Sequence, residues 1–192
     1  MKKIILIGAG GHATSCVDVI QLTKKYDILG FICDNHKSGD RYLGFKVLGK
    51  LKDIAKIKLK TKNLHIAFGS IYNQKKRDEV FLSLKKKGFN FPIIISPIAY
   101  VSKFSKISDG TIILHNVTVN ANVVIGSNCI INTKANIEHD CKIENNCHIS
   151  TGANINGNVV IKKNTFIGSG AVVREGKIIK KNFFIKMSEV VK

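Results

Sequence analysis

Residues 125–149 read IGSNCIINTKANIEHDCKIENNCHI, with an isoleucine at every sixth position. The same spacing extends in both directions, because each sixth residue from Ile95 to Val191 is isoleucine or valine. Four residues after each of these, from Ala99 to Ala171, the side chain is small or apolar. A helix repeats its apolar residues about every 3.6 positions and a strand every second one, so neither element explains this period. The pattern predicts a parallel β-helix in which each hexapeptide supplies a short strand and a corner.

The repeat divides the chain into two predicted domains, residues 1–92 before the solenoid and residues 93–192 within it. Beyond Ala171 the small position is taken by lysine, phenylalanine and glutamate. Because terminal repeats of solenoids are usually atypical, we expect the last coils to form an irregular cap. A β-sandwich of alternating strands is the competing architecture, and the unbroken period of six argues against it.

The first domain has the pattern of an α/β fold. Residues 2–8, KKIILIG, form a predicted buried strand that breaks into the glycine-rich run GAGGHA at residues 8–13, before a helix that extends to about Thr23. Further elements are predicted as strands at 28–33, 64–68 and 91–95 and as a lysine-rich amphipathic helix at about 73–87. Strands that alternate with helices indicate a Rossmann-like domain.

The glycine-rich turn is a candidate phosphate site, because it presents backbone N–H groups and the positive end of a helix dipole. Asp34 ends the second predicted strand, where an acidic residue commonly binds a ribose hydroxyl. Ligands of such sheets bind beyond the carboxyl ends of the strands. We therefore expect substrate contacts from Gly10, Gly11, His12, Asp34, Gly69 and Ser70.

An NAD site is the alternative for this turn, since Gly8-x-Gly10-x-x-Ala13 satisfies a loose form of the dinucleotide fingerprint. Residues 1–92 hold only one mononucleotide-binding half, whereas a dinucleotide occupies two. A nucleotide-sugar is therefore the favoured ligand.

The composition favours acidic partners and a reduced compartment. The formal charge is +18, mostly from lysine spread along the chain, which suggests nucleic acid, an anionic membrane or a phosphorylated small molecule, or else serves solubility. Nucleic acid is disfavoured because the sequence has no arginine-rich tract, zinc-finger spacing or aromatic RNA-binding motif. Five cysteines without a CxxC pair, no secretory signal and no long apolar run predict a cytoplasmic protein without membrane insertion.

Three histidines, His115, His139 and His148, stand out among predicted corners that are otherwise mostly Asn, Asp, Gly and Lys. His139 lies in NTKANIEHD, next to Asp140, and an imidazole beside a carboxylate is a suitable general base near neutral pH. We expect His148, at the end of the following hexapeptide, to lie close to the same edge of the coil. A zinc site of the kind in hexapeptide-repeat carbonic anhydrases would need three histidines, two of them five residues apart. The spacings here are 24 and 9 residues, so no metal is expected.

The GAGGH start, the short α/β domain and a solenoid that contains Ile137-Glu138-His139-Asp140 together resemble the sialic acid O-acetyltransferase family. That family includes the N-acetyltransferases of UDP-4-amino-4,6-dideoxy sugars, the NeuD/PglD-like hexapeptide-repeat acyltransferases. The resemblance covers essentially the whole chain. It implies a left-handed β-helix, acetyl-CoA as the cosubstrate, and a homotrimer with each active site between neighbouring solenoids.

The resemblance also implies roles for individual residues. His139 matches the catalytic histidine, and Asp140 matches the acidic residue that follows it. The acetyl-CoA positions are matched by Asn132, His148, Gly157, Gly168 and Gly170. The backbone N–H of Gly157 would lie near the thioester. The positions that hold the nucleotide-sugar are matched by Gly11, His12, Asp34, Gly69 and Ser70.

The expected reaction is direct transfer of acetyl from acetyl-CoA to the 4-amino group of a UDP-linked 4-amino-4,6-dideoxy sugar, with His139 as general base. Such a reaction belongs to bacterial surface-glycan biosynthesis. A sialic acid hydroxyl is the alternative acceptor. A nucleotide-sugar-binding protein without catalysis is the alternative of another class.

Overall fold

The structure, a computed structural model, describes residues 1–55, 60–69, 71 and 74–192. Its N-terminal domain is a five-stranded sheet in the order β3-β4-β2-β1-β5. The strands are β1 Lys2–Ile7, β2 Tyr26–Ile32, β3 Arg41–Tyr42, β4 Phe45–Gly49 and β5 Leu64–Ile66. All neighbours pair in parallel except β3, which is antiparallel to β4.

Helices α1 (Gly11–Thr23) and α2 (Gln74–Lys86) cover opposite faces of this sheet. Successive residues of a strand point to opposite faces, so Ile4 and Leu6 of β1 pack with α1, whereas Ile5 and Ile7 pack with α2. Both faces are buried, which explains the uninterrupted apolar run of β1. A short 3-10 helix, Leu51–Asp53, follows β4.

Two features of this domain differ from the sequence prediction. In the segment 91–95 only Ile94–Ile95 is a strand, and it pairs with Ile112–Ile113 of the solenoid rather than with the N-terminal sheet. The β3–β4 hairpin is not predicted, because its turn, Leu43-Gly44, lacks the Asn-Gly or Asp-Gly signal. Both turn residues have positive φ, +49° and +81°, as a type I′ turn requires.

The C-terminal domain is a left-handed parallel β-helix of two-residue strands. The period of six predicts the β-helix, and the family resemblance predicts its left hand. The first face consists of β6 Ile94–Ile95, β9 Ile112–Ile113, β12 Ile130–Ile131, β15 His148–Ile149, β18 Phe166–Ile167 and β21 Phe184–Ile185. The second face consists of β7 Tyr100–Val101, β10 Thr118–Val119, β13 Asn136–Ile137, β16 Asn154–Ile155, β19 Val172–Val173 and β22 Val190–Val191. The third face consists of β8 Lys106–Ile107, β11 Val124–Ile125, β14 Lys142–Ile143, β17 Val160–Ile161 and β20 Ile178–Ile179.

Three columns of corners join these faces. The glycine corner links the first face to the second and includes residues 132–135, 150–153 and 168–171. The histidine corner links the second face to the third and includes residues 120–123, 138–141 and 156–159. The asparagine corner links the third face back to the first and includes residues 108–111, 126–129, 144–147 and 162–165. Most corners contain one residue with positive φ, usually Asn or Gly, for which that conformation costs least.

The second residue of each strand points inward and forms one continuous apolar column from Ile113 to Ile185. The small residues of the corners, including Cys129, Cys141 and Cys147, are buried in the same column. All five cysteines are free and buried.

The expectation of an irregular C-terminal cap is wrong. Strands β20, β21 and β22 pair in register with the preceding coil, and Ile179 and Ile185 remain buried. The larger corner residues are tolerated because they turn to solvent there, as Phe183 does with 46% exposure.

The two domains pack directly against each other. Helix α1 lies on the first face, where Cys16 and Ile20 share an apolar cluster with Ile112 and Ile130. Helix α2 lies along the asparagine corner. None of the helices in the described residues is long and apolar enough to cross a membrane.

Candidate active site

His139 lies in the histidine corner immediately after β13. Its Nδ1 is 2.8 Å from Oδ2 of Asp140, and Oδ1 of Asp140 accepts a hydrogen bond of 2.7 Å from Nδ2 of Asn122, one coil earlier. Asp140 has a φ of +62°, the left-handed conformation found in most of these corners. Because a carboxylate only accepts hydrogen bonds, Nδ1 carries the proton and Nε2 is left with its lone pair.

The electrostatics of this corner favour protonation of His139. The hydrogen bond to Asp140 raises the pKa of His139 above its ordinary value, and the charges of Asp140, Glu138 and Glu175 act in the same direction. The hydrogen bonds from Asn122 and His139 lower the pKa of Asp140, so its carboxylate stays ionised. The arrangement holds an imidazole ready to accept a proton on Nε2.

Gly157 lies directly beyond His139, one coil further along the histidine corner. A Cβ at this position would be 2.8 Å from Cε1 and 2.9 Å from Nε2 of His139, so only glycine leaves the imidazole in place. The structure records no hydrogen bond from the Gly157 N–H to any described residue. A free donor therefore lies beside the predicted base.

Glu138 is a residue of this corner that the sequence prediction does not include. Its Oε2 accepts a hydrogen bond of 2.8 Å from Asn120, and its Oε1 accepts one of 3.0 Å from Asn136. Asn120 and Asn122 could be found from the sequence by their spacing, because each precedes its carboxylate partner by 18 residues, which is one coil.

The other solenoid residues predicted to bind acetyl-CoA lie on or beside the glycine corner. Nδ2 of Asn132 is 3.3 Å from Nε2 of His148, and the His148 ring packs edge-on against Phe166 at 5.1 Å between centroids. Gly170 has a φ of +66°, and a side chain on Gly168 would collide with the backbone of the next coil.

The expectation that His148 lies near the edge occupied by His139 is wrong. His148 belongs to the first face, whereas His139 follows a strand of the second face, and β14 of the third face separates them along the chain. Within one copy, the solenoid residues predicted to act in acetyl transfer thus form two separate clusters, one at the histidine corner and one at the glycine corner.

The N-terminal domain contains a cavity of about 530 Å³ at the carboxyl ends of β1, β2 and β5. Three of the predicted substrate residues, Gly10, Asp34 and Gly69, line it. Phe68 and Lys76, which the sequence prediction does not include, line it as well. A neighbouring cavity of about 610 Å³ shares Asp34 and adds Lys50, Lys52 and Lys87. Ser70 lies outside the described residues.

Gly11 and His12 form the first turn of α1 and do not line this cavity. The helix has no side-chain cap at Gly10, so its first N–H groups are available to a ligand. Nε2 of His12 is shielded from solvent and has no hydrogen-bond partner among the described residues. Burial, reinforced by the charge of Arg77, lowers the pKa of His12 well below its ordinary value, so this ring is neutral.

The third histidine, His115, joins the domains. Its Nδ1 is 2.7 Å from Oγ of Ser96, and its Nε2 is 2.8 Å from Oδ2 of Asp18 in α1. Within the described ranges, no group of three or more His, Cys, Asp or Glu side chains is arranged to hold a metal ion.

Comparisons with known proteins match each of the two domains to a described family. Residues 3–84 match the family described as the PglD N-terminal domain, and residues 140–175 match the bacterial transferase hexapeptide repeats. The acetyltransferase domain of PglB from Neisseria gonorrhoeae is 27% identical, with a TM-score of 0.91 over 100% of this chain and 92% of that one. The same domain, solved in complex with acetyl coenzyme A, is 26% identical over 99% and 92% of the two chains, with a TM-score of 0.89.

PerB from Caulobacter crescentus, solved with CoA and GDP-perosamine, shares the fold at 22% identity and a TM-score of 0.77, over 94% of this chain and 92% of that one.

Proposed function

We propose that this chain is a NeuD/PglD-like hexapeptide acetyltransferase, which transfers acetyl from acetyl-CoA to the 4-amino group of a UDP-linked 4-amino-4,6-dideoxy sugar. The observation that carries this proposal is the array Asn122–Asp140–His139 beside the free N–H of Gly157. A general base next to an unpaired backbone donor is what acyl transfer to an amine requires.

The reaction is a direct transfer. The acceptor amine attacks the thioester carbonyl while Nε2 of His139 takes the proton that the nitrogen loses. The Gly157 N–H donates to the oxyanion of the tetrahedral intermediate, an effect typically worth ~3 kcal/mol. Collapse of the intermediate breaks the carbon–sulfur bond, and the proton held by His139 passes to the departing thiolate. Asp140 stabilises the imidazolium between these steps.

The acceptor occupies the N-terminal cavity. The diphosphate lies against the uncapped N-terminus of α1 and near Lys76, and Asp34 receives the ribose hydroxyls. Gly11 and His12 contribute through the first turn of α1, and Gly69 lines the cavity beside that turn, where an added Cβ would be 3.6 Å from Cβ of His12. These groups suit a nucleoside diphosphate, the part that UDP-linked sugars share.

The active site forms between copies in a homotrimer. The second face connects the histidine corner to the glycine corner, so packing this face around a threefold axis brings His139 of one copy to Asn132 and His148 of its neighbour. The first face is unavailable for such packing, because α1 covers it. Acetyl-CoA then lies between the copies, along Gly157 of one and Gly168 and Gly170 of the other. Five buried free thiols support a cytoplasmic location, where thiols stay reduced.

A thiol-release assay with acetyl-CoA tests this function. The panel is UDP-4-amino-4,6-dideoxy-N-acetylglucosamine, free sialic acid and CMP-sialic acid. We expect release with the UDP-amino sugar alone, lost in His139→Ala and retained in Lys142→Ala, an exposed substitution in the same coil. Release with a sialic acid instead would show O-acetylation, and no release across the panel would contradict the proposal.

A further inference from the structure

Helix α2 contacts the solenoid through a stripe of side chains four residues apart, Arg77, Phe81 and Lys85. Lys85 forms an ion pair with Asp109 of the asparagine corner. Phe81 packs so closely over Gly110 that a Cβ there would be 2.7 Å from the Phe81 ring. Arg77, the member of the stripe nearest the start of α2, donates from Nε to the carbonyl oxygen of Asn128 at 3.4 Å.

Of the three side chains in this stripe, Arg77 also contacts the wall of the N-terminal cavity in which the acceptor is proposed to bind. Its Nη1 donates to the carbonyl oxygens of Ile66 at 2.9 Å and Phe68 at 2.7 Å, at the carboxyl end of β5. Phe68 and the adjacent Gly69 line the cavity. One guanidinium thus connects the wall of the acceptor cavity to the solenoid.

Stability alone does not explain a guanidinium in this position. Arg77 is 2% exposed, and within the described residues its Nη2 has no hydrogen-bond partner and no carboxylate forms an ion pair with it. Its neighbours His65 and Cys16 are neutral, because burial lowers the pKa of His65 to about 3 and raises the pKa of Cys16 to about 12. Burying an uncompensated charge is costly, and an apolar side chain would avoid that cost. What the guanidinium alone provides is a rigid set of donors to three backbone carbonyls.

We propose that Arg77 is a positioning residue that sets the wall of the acceptor cavity relative to the solenoid. This inference rests on the proposed function, in which the sugar amine must reach an acetyl group held by the solenoid. Reacting atoms need to approach within about 3–3.5 Å, and a displacement of about 1 Å can cost on the order of 100-fold in rate. Arg77 touches neither substrate, so it acts through Phe68 and Gly69.

The test compares Arg77→Met and Arg77→Lys with Lys85→Met, which removes the ion pair at the other end of the same stripe. We expect Arg77→Met to lower kcat/KM for the UDP-amino sugar by about 10- to 100-fold while KM for acetyl-CoA stays within about twofold. Arg77→Lys keeps the charge and one or two of the contacts, so it should recover part of the loss. Lys85→Met should lower the melting temperature and leave all kinetic constants unchanged.

Calorimetric titration with UDP gives a readout without turnover, and we expect weaker binding to both Arg77 variants than to Lys85→Met. Circular dichroism checks that each variant is folded. If Arg77→Met does not fold, the kinetic constants and UDP binding of Arg77→Lys are compared with those of Lys85→Met instead. Equal changes in the constants for both substrates, or normal kinetics in a destabilised Arg77→Met, would overturn the inference. Absence of turnover in the wild type would instead overturn the proposed function, and the UDP titrations would still decide the role of Arg77.

Discussion

At the scale of single residues, His139 has one nitrogen committed to Asp140 and the other open at the surface. Its side chain is 58% exposed and that of Asp140 is 49% exposed. Solvent therefore reaches the pair in an isolated copy, and its electrostatic coupling is partly screened. A neighbouring copy over this corner would exclude that water and strengthen the pair.

The Asp140–His139 hydrogen bond predicts the pH dependence of turnover. A general base works only when neutral, so kcat/KM falls as the pH drops through the pKa of His139. The carboxylate raises that pKa. Asp140→Asn removes the charge, so the pKa of His139 should fall and the acid limb of the kcat/KM profile should move to lower pH. The plateau of that profile should decrease by about tenfold or more, because the orientation of the imidazole is lost.

Asparagine tolerates the positive φ of position 140, so this variant keeps the backbone. Glu175→Gln is the matched control, since it removes a more distant carboxylate that acts in the same direction. Glu175→Gln should move the acid limb of the kcat/KM profile slightly to lower pH and leave its plateau unchanged. A pH profile of Asp140→Asn identical to that of the wild type would contradict the role of Asp140.

The sequence predicts the His139–Asp140 pair because the two residues are adjacent, whereas their partners need the register of the coils. Asn122 and Asn120 are identified only once a coil is known to contain 18 residues. Lys76 is not predicted, because nothing in a lysine-rich helix distinguishes the lysine that faces the cavity.

At the scale of elements, the asparagine corner contains a ladder of side-chain amides. Asn128 donates to Asn146, Asn146 to Asn164, and Asn164 to Asn182, at 2.8 to 3.0 Å. Each rung has positive φ and lies one coil from the next. The ladder joins successive coils with hydrogen bonds that supplement those between the strands.

Asn146→Ala removes an inner rung and should destabilise the solenoid. It leaves Nδ2 of Asn128 with only its long 3.4 Å contact to the carbonyl oxygen of Arg77, and Oδ1 of Asn164 loses the donor that Asn146 supplies. Loss of a partner costs about 1–3 kcal/mol for a buried group. Asn158→Ala is the control, because it has the same backbone conformation, with a φ of +56°, and an exposed side chain outside the ladder. We expect urea unfolding at fixed protein concentration to show the larger loss in Asn146→Ala. Equal losses would attribute the effect to backbone strain alone.

The solenoid could be predicted from its inner column, because a period of six in isoleucine and valine has one structural solution. The regularity of the last coils could not be predicted. The sequence shows that larger residues replace the small corner residue after Ala171, but it does not show that these larger side chains turn to solvent. The β3–β4 hairpin could not be predicted either, because Leu43 occupies a turn position that normally selects Asn, Asp or Gly.

At the scale of the whole molecule, the solenoid residues predicted to act in acetyl transfer lie in two separate places of one copy. His139 and Gly157 lie on the histidine corner, while Asn132 and His148 lie across the second face. The sequence cannot show this separation, because residues only 9 apart along a coil occupy different faces. The domain division at residues 92 and 93 stays a prediction.

Subunit complementation tests the central claim most directly. His139→Ala and His148→Ala are expressed separately and then together with different tags, and acetyl transfer to the UDP-amino sugar is measured for each preparation. If each site takes His139 from one copy and His148 from its neighbour, both single preparations should be nearly inactive, and the mixture should recover about one quarter of the wild-type activity per site, as random assembly predicts. Full activity of His139→Ala alone, or no recovery from two folded variants that assemble together, would contradict a shared site built on His139.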